Sequence, residues 1–437
     1  MRLIRRRTAA RHPRRLRGRR PPFPPKPDFV MSKTLLQINT VVNSGSTGRI
    51  AEEIGRTAIE AGWRSVIAYG RNPRPSASEL IRVGNDLDVR LHGLRSRVFD
   101  DHGLGSRKAT EAFIRKAEAL APDVVHLHNV HGYYLNIEAI FRWLAQSGVP
   151  VVWTLHDCWP FTGHCGYYTR AGCDRWLTGC FSCPQKRDYP ASLVFDRSRK
   201  NWEQKHELFS SVKNLTLVPV SDWLAGEVRK SFLGDKKIVR IHNGTDTETF
   251  SPKADGNAVR EKYGLGERFV ALGCASVWGA RKGLTDFLRL REKFSENELS
   301  VVLVGLSEAQ IAELPRGVVG IRRTESIEEL AALYSAADLF FNPTYEDNFP
   351  TVNIESLACG TPVCTYRTGG SPEAVDGSTG FVVDQGELDG VLSAIAEIRS
   401  RGKAAYSAAC RSRALACFRK EDRWAEYLRL YASRLRS

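Results

Sequence analysis

The chain of 437 residues is long enough for two or three domains with real hydrophobic cores. Hydrophobic residues make up 42% and charged residues 26%, and no apolar run approaches the roughly 18 residues of a membrane-spanning helix. That excludes a polytopic membrane protein and a wholly disordered one. The net charge of +15 is uneven: residues 1–30 hold ten Arg and Lys26 against Asp28, a local +10 that leaves +5 for the remainder.

That basic block also carries six of the 20 prolines and no apolar periodicity, so residues 1–31 are expected to be a disordered tail. It reads as an arm for nucleic acid or a membrane surface, or as a misplaced start with Met31 the true initiator. The ten cysteines, in a long chain with no apolar leader, point to a reducing cytosol and free thiols.

From Lys33 onward, short β-branched runs alternate with longer amphipathic segments, the pattern of a parallel sheet wrapped by helices. Strands are predicted at Thr34–Thr40, Arg64–Tyr69, Asp123–His128, Val151–His156, Leu215–Val220 and Lys237–Ile241. Helices are predicted over Arg49–Ala61 and Thr110–Leu120, with only a basic stretch before the second. The turn Asn243-Gly244-Thr245-Asp246 marks a crossing between domains.

A second alternating series follows, with strands at Phe269–Cys274, Ser300–Val304, Val318–Arg322, Leu339–Asn342 and Pro362–Tyr366 and a helix over Ile327–Ala336. The organisation read from this is a first doubly wound domain over 32–242 with a Cys-rich insertion at 158–190, and a second over 243–417. A final helix over 418–437 has Trp424, Tyr427, Leu428 and Tyr431 on one stripe and packs back on the first domain.

Ligands in such sheets bind beyond the carboxyl ends of the strands, and the unusual polar residues cluster there. The loop Asn43 to Arg49 contains Gly45 and Gly48, which let backbone approach a ligand. Arg281 and Lys282, before Gly283, put two cations where a strand gives way to a helix, suited to a diphosphate. Further on, Asp347 and Glu355 stand eight positions apart across a loop and a helix start.

The segment from Glu346 to Glu355, followed by Ser356-Leu357-Ala358-Cys359-Gly360-Thr361-Pro362-Val363, resembles the nucleotide-sugar signature of family 4 retaining glycosyltransferases. Gly369-Gly370-Ser371-Pro372-Glu373 and the Arg281-Lys282-Gly283 pattern resemble that family's donor-diphosphate elements. In the first half, His126-Leu127-His128-Asn129 and Trp153-Thr154-Leu155-His156-Asp157-Cys158 resemble the subgroup that builds colanic-acid-type bacterial exopolysaccharide. The similarity spans about Thr34 to Tyr431.

This resemblance implies the GT-B fold, an α/β architecture of two Rossmann-like parallel-sheet domains facing across a cleft. It implies Arg281 and Lys282 on the donor pyrophosphate, Glu355 on the ribose hydroxyls, and Asp347 on the transferred sugar, with Glu346 beside it as the other carboxylate in reach. Asn348 and Gly370 join Gly45 and Gly48 in the donor set. His128 is implied near the scissile bond, while His126 is expected to point the other way, into the core.

The chemistry implied is transfer of a sugar from a nucleotide-sugar donor to a lipid-linked or saccharide acceptor, with retention, in bacterial surface polysaccharide synthesis. No cofactor is required, because Arg, Lys and helix amides neutralise the departing diphosphate. A nucleotide-sugar epimerase or hydrolase of the same architecture is the rival reading. Cys165, Cys173, Cys180 and Cys183 are read as either a structural zinc site or reduced buried thiols. The expected location is cytoplasmic, peripheral on the inner face of an anionic membrane through Arg82, Arg90, Arg95, Arg97, Arg107 and Lys108, with no nucleic acid as partner.

Overall fold

The computed structural model describes residues 32–252 and 255–435; the basic block and Met31 lie outside the described residues. Seven parallel strands form the first sheet: β1 (Thr34–Asn39), β2 (Arg64–Tyr69), β3 (Glu79–Arg82), β4 (Val124–Leu127), β5 (Val151–Leu155), β6 (Leu215–Pro219) and β7 (Lys237–Ile238). Their spatial order is β3-β2-β1-β4-β5-β6-β7. The second sheet holds β8 (Phe269–Cys274), β9 (Leu299–Val304), β10 (Val318–Ile321), β11 (Leu339–Asn342), β12 (Val363–Tyr366) and β13 (Gly380–Val383), in the order β10-β9-β8-β11-β12-β13.

Each order reverses beside the first strand of its sheet, between β1 and β4 (Leu36 opposite Val125) and between β8 and β11 (Leu272 opposite Phe340). At such a switch the crossover helices leave to opposite faces, so a crevice opens at the carboxyl ends of the strands. The central strands are continuous apolar runs because helices cover both faces, and every residue of β1, β4, β5, β6 and β9 is buried.

Several elements had no counterpart in the sequence expectation, among them two strands and one helix that bear on the surface. The outermost strands β3 and β13 were not anticipated: β3 is bounded by exposed Glu79 and Arg82, and three of the four residues of β13 are only half-buried. Edge strands need no apolar run. The basic stretch before Thr110 contains a helix, Asp86–Phe99, started by a capping box in which Asn85 accepts from Asp88 N and Asp88 accepts from Asn85 N.

The chain passes between the sheets twice, and the two passages pair. Thr245 N donates to Phe418 O at 2.8 Å and Lys420 N donates to Thr245 O at 3.0 Å. The helix Lys420–Arg434 then lies on the first sheet, burying Trp424, Tyr427, Leu430 and Tyr431 against Leu35, Ile54, Val124, Val152 and Val218. Leu430 takes the place expected for Leu428, which is only partly buried at the margin.

Two polar contacts fix that helix's register. Tyr431 OH meets His126 Nδ1 at 2.6 Å, and Thr154 Oγ1 donates to Tyr427 OH at 3.0 Å. Removing the Tyr431 ring should therefore leave both a cavity and His126 Nδ1 without its partner. Tyr431→Ala is expected to lower the unfolding free energy by about 3–5 kcal/mol and Tyr431→Phe by about 1 kcal/mol, read as shifts in the urea midpoint. Equal midpoints for the two variants would mean the ring contributes no packing.

Candidate active site

A cavity of about 900 Å³ lies between the two sheets at their carboxyl ends. The first domain lines it with Ser46, Thr47, Arg49, His156 and Tyr167, and the second with Arg281, Lys282, Arg322, Arg323, Asp347 and Glu355. Five cations face two carboxylates, so the cleft carries an excess positive charge suited to an anion.

Local backbone geometry places the Arg281–Lys282 pair. Ala280–Lys282 is a single tight turn after β8, closed by Gly283 at φ +69°. A Cβ at Gly283 would stand 2.2 Å from Pro343 O, so only glycine lets the turn lie against the end of β11. Arg281 Nη1 then donates to Glu346 O at 2.8 Å, and its guanidinium sits 5.0 Å from the Tyr167 ring of the opposite domain. Lys282 Nζ pairs with Asp347 Oδ2 at 2.5 Å.

Glu355 stands on the helix Thr351–Ala358 at the cleft floor, accepting from Tyr334 OH at 3.0 Å. Burial pushes its carboxyl above the usual range, opposed by the Arg49 guanidinium across the cleft. Gly45 opens the helix Gly45–Glu60 at φ +62°, and Gly48 O accepts from Asn43 N at 3.1 Å, so this loop presents Ser46 and Thr47 to the cavity.

Glu346, Asn348 and Gly370 do not line the cleft. Burial raises the Glu346 carboxyl, and it accepts from Arg170 N at 2.9 Å, turned into the Cys-rich insertion. That leaves Asp347 as the carboxylate of the pair that faces the cavity. Asn348 Nδ2 donates to His156 O at 2.8 Å, reaching the first domain. Gly370 packs flat between domains: a Cβ there would stand 2.1 Å from Asn348 O and 2.5 Å from Ser221 Cβ.

Glu373, expected near the donor diphosphate, instead accepts from Asp222 N at 2.8 Å and Trp223 N at 2.7 Å, capping the helix Asp222–Lys230 of the first domain. Its other neighbour is His242 Nε2 at 3.1 Å. These residues of the two resemblance motifs bond one domain to the other.

The histidines also rearrange. His126 and His128 point the same way, ring centroids 4.1 Å apart, because residues two apart share a face of a strand. His128 is 1% exposed and absent from the cleft lining. Its Nε2 meets Gln37 Oε1 at 3.0 Å, its Nδ1 meets His156 Nε2 at 3.2 Å, and its carbonyl accepts from Trp153 Nε1 at 2.9 Å.

Gln37 Nε2 donates to Ala51 O, so Gln37 Oε1 must accept and His128 carries its proton on Nε2. His128 Nδ1 is then an acceptor, and His156 Nε2 donates to it. His156 is thereby held with Nδ1 bare, and it is this histidine that lines the cleft. No sequence signal separated the two, because each ends an apolar strand.

The four cysteines of the insertion, Cys165, Cys173, Cys180 and Cys183, line one small cavity of about 10 Å³ and form no disulfide. Cys180 Sγ accepts from Gly163 N at 3.1 Å. Among the described residues, the three-ligand group whose donor atoms lie within 4.8 Å of one another is Asp222, His242 and Glu373, not a set of these sulfurs.

Burial holds His126 and His128 well below the ordinary histidine range and His156 at about 4. The unfolded chain takes up these protons near pH 6.5, the folded chain only below about 4 at His156. Between those values the unfolded state binds more protons, so stability is full above pH 6.5 and falls as the pH drops. The unfolding free energy is expected to decline by up to about 1.4 kcal/mol per pH unit per histidine in that window. Urea titrations at pH 7.5 and 5 check it, and a His126→Gln, His128→Gln double variant should flatten the slope.

Two family models match the chain. One, described as Glycosyltransferase Family 4, covers residues 47–249, and the other, Glycosyl transferases group 1, covers residues 268–400. An Escherichia coli K12 protein named as a colanic acid biosynthesis glycosyl transferase, WcaC, is 25% identical over 400 residues, 85% of this chain and 96% of its own. A GDP-mannose-dependent alpha-(1-6)-phosphatidylinositol monomannoside mannosyltransferase of Mycolicibacterium smegmatis is 32% identical over 235 residues, 49% of this chain and 61% of its own.

Among solved structures, sucrose-phosphate synthase of Thermosynechococcus elongatus superposes with a TM-score of 0.68 at 18% identity, covering 92% of this chain and 98% of that one. Anabaena HepE in complex with UDP-glucose gives 0.62 at 14% identity, with 92% and 99% covered. These likenesses speak to the fold. With one family model on each sheet and the cationic cleft between them, the protein is a GT-B glycosyltransferase and belongs to the family that those two models describe.

Proposed function

We propose that the protein moves a sugar from a nucleoside-diphosphate donor to a lipid-linked or saccharide acceptor, with retention, in the assembly of a bacterial surface polysaccharide. The observation that carries this reading is the convergence of Arg49, Arg281, Lys282, Arg322 and Arg323 on one interdomain cavity that also holds Glu355 and Asp347. Structures titled as complexes with UDP and with UDP-glucose share the fold, which supports a nucleotide-sugar donor. The relative named for colanic acid biosynthesis supports the polysaccharide product.

Cleavage of the bond between sugar and diphosphate builds negative charge on the leaving oxygen. Arg281 and Lys282 are fixed before the reaction, by the Glu346 carbonyl and Asp347, so they meet that charge without reorganising. No metal step is needed for this neutralisation. Glu355, fixed by Tyr334, faces the cleft as an acceptor for ribose hydroxyls, and Asp347 for sugar hydroxyls.

Inverting transfer needs a strong base on the face of the sugar opposite the leaving group. Both cleft carboxylates belong to the second domain, on the side of Arg281 and Lys282. Facing them is His156, whose basicity burial has lowered to about 4, a poor base at neutral pH. Retention is the stereochemistry implied by the motifs shared with the retaining family. His156 Nδ1 is suited to accept a hydroxyl hydrogen bond and so to orient the sugar.

The acceptor is proposed to be presented at the inner face of a membrane, with the enzyme peripheral to it. Among the described residues, no helix is long and apolar enough to cross a membrane. Half of the basic cluster in the first domain is neutralised: Arg82 pairs with Asp86, Arg95 with Asp101, and Arg107 with Glu138. Those residues are poor lipid contacts.

Arg281→Ala and Lys282→Ala should each reduce kcat on the order of 100-fold with an unchanged melting temperature. Steady-state kinetics near wild type in both would discard the donor site. Glu355→Gln should weaken nucleotide binding by about 1.5–3 kcal/mol, measured calorimetrically with whichever of UDP, GDP and dTDP raises the melting temperature most. Unchanged affinity would assign Glu355 to the helix alone.

A further inference from the structure

The helix Asp86–Phe99 is built inside out. Its inward face is small and polar, with His92, Gly93 and Ser96 buried. Its outward face carries Leu87, Leu91 and Leu94, which are 62%, 56% and 61% exposed. At 100° per residue these three leucines fall on one stripe, with Arg90 and Arg97 along one border and Arg95 along the other.

The segment 193–195, just after the Cys-rich insertion, extends this surface. Leu193 N donates to Arg97 O at 2.7 Å and Phe195 N to Val98 O at 3.1 Å, fastening that segment alongside the helix. Phe195 stacks on Phe99 with centroids 5.8 Å apart, and Leu193, Val194 and Phe195 are all exposed. A single exposed leucine is ordinary, but an apolar ridge assembled from two segments is not.

We infer that this ridge is the surface by which the first domain docks on an anionic lipid bilayer. Leucine and phenylalanine side chains would enter the acyl boundary, while Arg90 and Arg97, on the border that carries no ion pair among the described residues, remain at headgroup level. Arg90, Arg199 and Lys200 flank the ridge and form no ion pair among the described residues, so their charge is available to lipid phosphate. A groove of about 680 Å³ beside it is lined by Phe99 and Phe195, by Arg95, Arg197, Arg199 and Lys200, and by Asp101 and Asp196, so cations outnumber carboxylates four to two next to two apolar rings.

Charge complementarity selects this occupant over a second copy of the chain. A two-fold contact would press the same cations against each other. The inference rests on the proposed lipid-linked acceptor but not on the identity of the donor.

The test compares the full chain with Leu91→Glu and Leu94→Glu, titrated with sedimentable vesicles of phosphatidylcholine containing phosphatidylglycerol. The basic N-terminal block is common to all three, so its attraction cancels. Each glutamate variant is expected to lose about tenfold in vesicle partition, while melting temperature and nucleotide binding stay at wild-type values. Unchanged nucleotide binding separates this outcome from failure of the donor assignment. Equal partition of all three proteins would overturn the proposal. So would a self-associating wild type that Leu91→Glu renders monomeric without vesicle binding, which would give the ridge to a second copy.

Discussion

Everything in the cleft depends on carboxylates and amides of the second domain that hydrogen-bond to main-chain atoms of the first. Glu346 accepts from Arg170 N, Asn348 donates to His156 O, and Glu373 accepts from two amides at the start of the helix Asp222–Lys230. Main-chain partners are fixed by the fold itself, so these bonds set the distance between sheets without further adjustment of side chains. Hydrogen bonds with a charged acceptor contribute roughly 1.5–3 kcal/mol each, enough in combination to hold a closed arrangement. Arg281, resting near Tyr167 of the facing domain, and Glu355, facing Arg49, then meet across the cavity at working distance.

The sheets were legible because their central strands are buried on both faces, and burial on both faces writes an unbroken apolar run into the sequence. The edge strands β3 and β13 carry no such run and escaped notice. The helix Asp86–Phe99 escaped for a different reason. Helix recognition assumes that leucines face a core, and here they face outward, so the segment registered only as basic.

The candidate site was half legible. Motif spacing brought out Arg281, Lys282, Asp347 and Glu355, which do share one cavity. It also drew in Glu346, Asn348, Gly370 and Glu373, because residues that fasten two domains sit in the same loops as residues that face a ligand. Sequence spacing alone cannot divide those duties; the direction of each side chain does. The histidines carry a sharper lesson, since the parity of a strand places His126 and His128 together, and treating them as opposed contradicted that rule. His156 emerges from β5 one position beyond the strand, and the hydrogen-bond chain from Gln37 through His128 assigns its proton.

The insertion between β5 and the helix Ser198–Ser210 has almost no regular structure, yet it gives Tyr167 to the cleft and Leu193, Val194 and Phe195 to the outer ridge. What stiffens it is a buried ammonium: Lys205, 2% exposed, donates to Trp159 O at 2.7 Å and Thr162 O at 2.9 Å and lies 3.4 Å from the centre of the Trp159 ring. Burial pushes this lysine down to about 7, opposed by the nearby Cys180 and Cys165 thiols and the Asp157 and Asp100 carboxylates. Thr162 in turn donates to Cys165 O, and Asp157 at the head of the insertion meets His131 Nε2 at 2.8 Å. A segment without its own sheet or helix is thus anchored at its root by bonds to backbone carbonyls, while its far end is fastened to the exposed helix. Cleft and ridge are two ends of one braced loop.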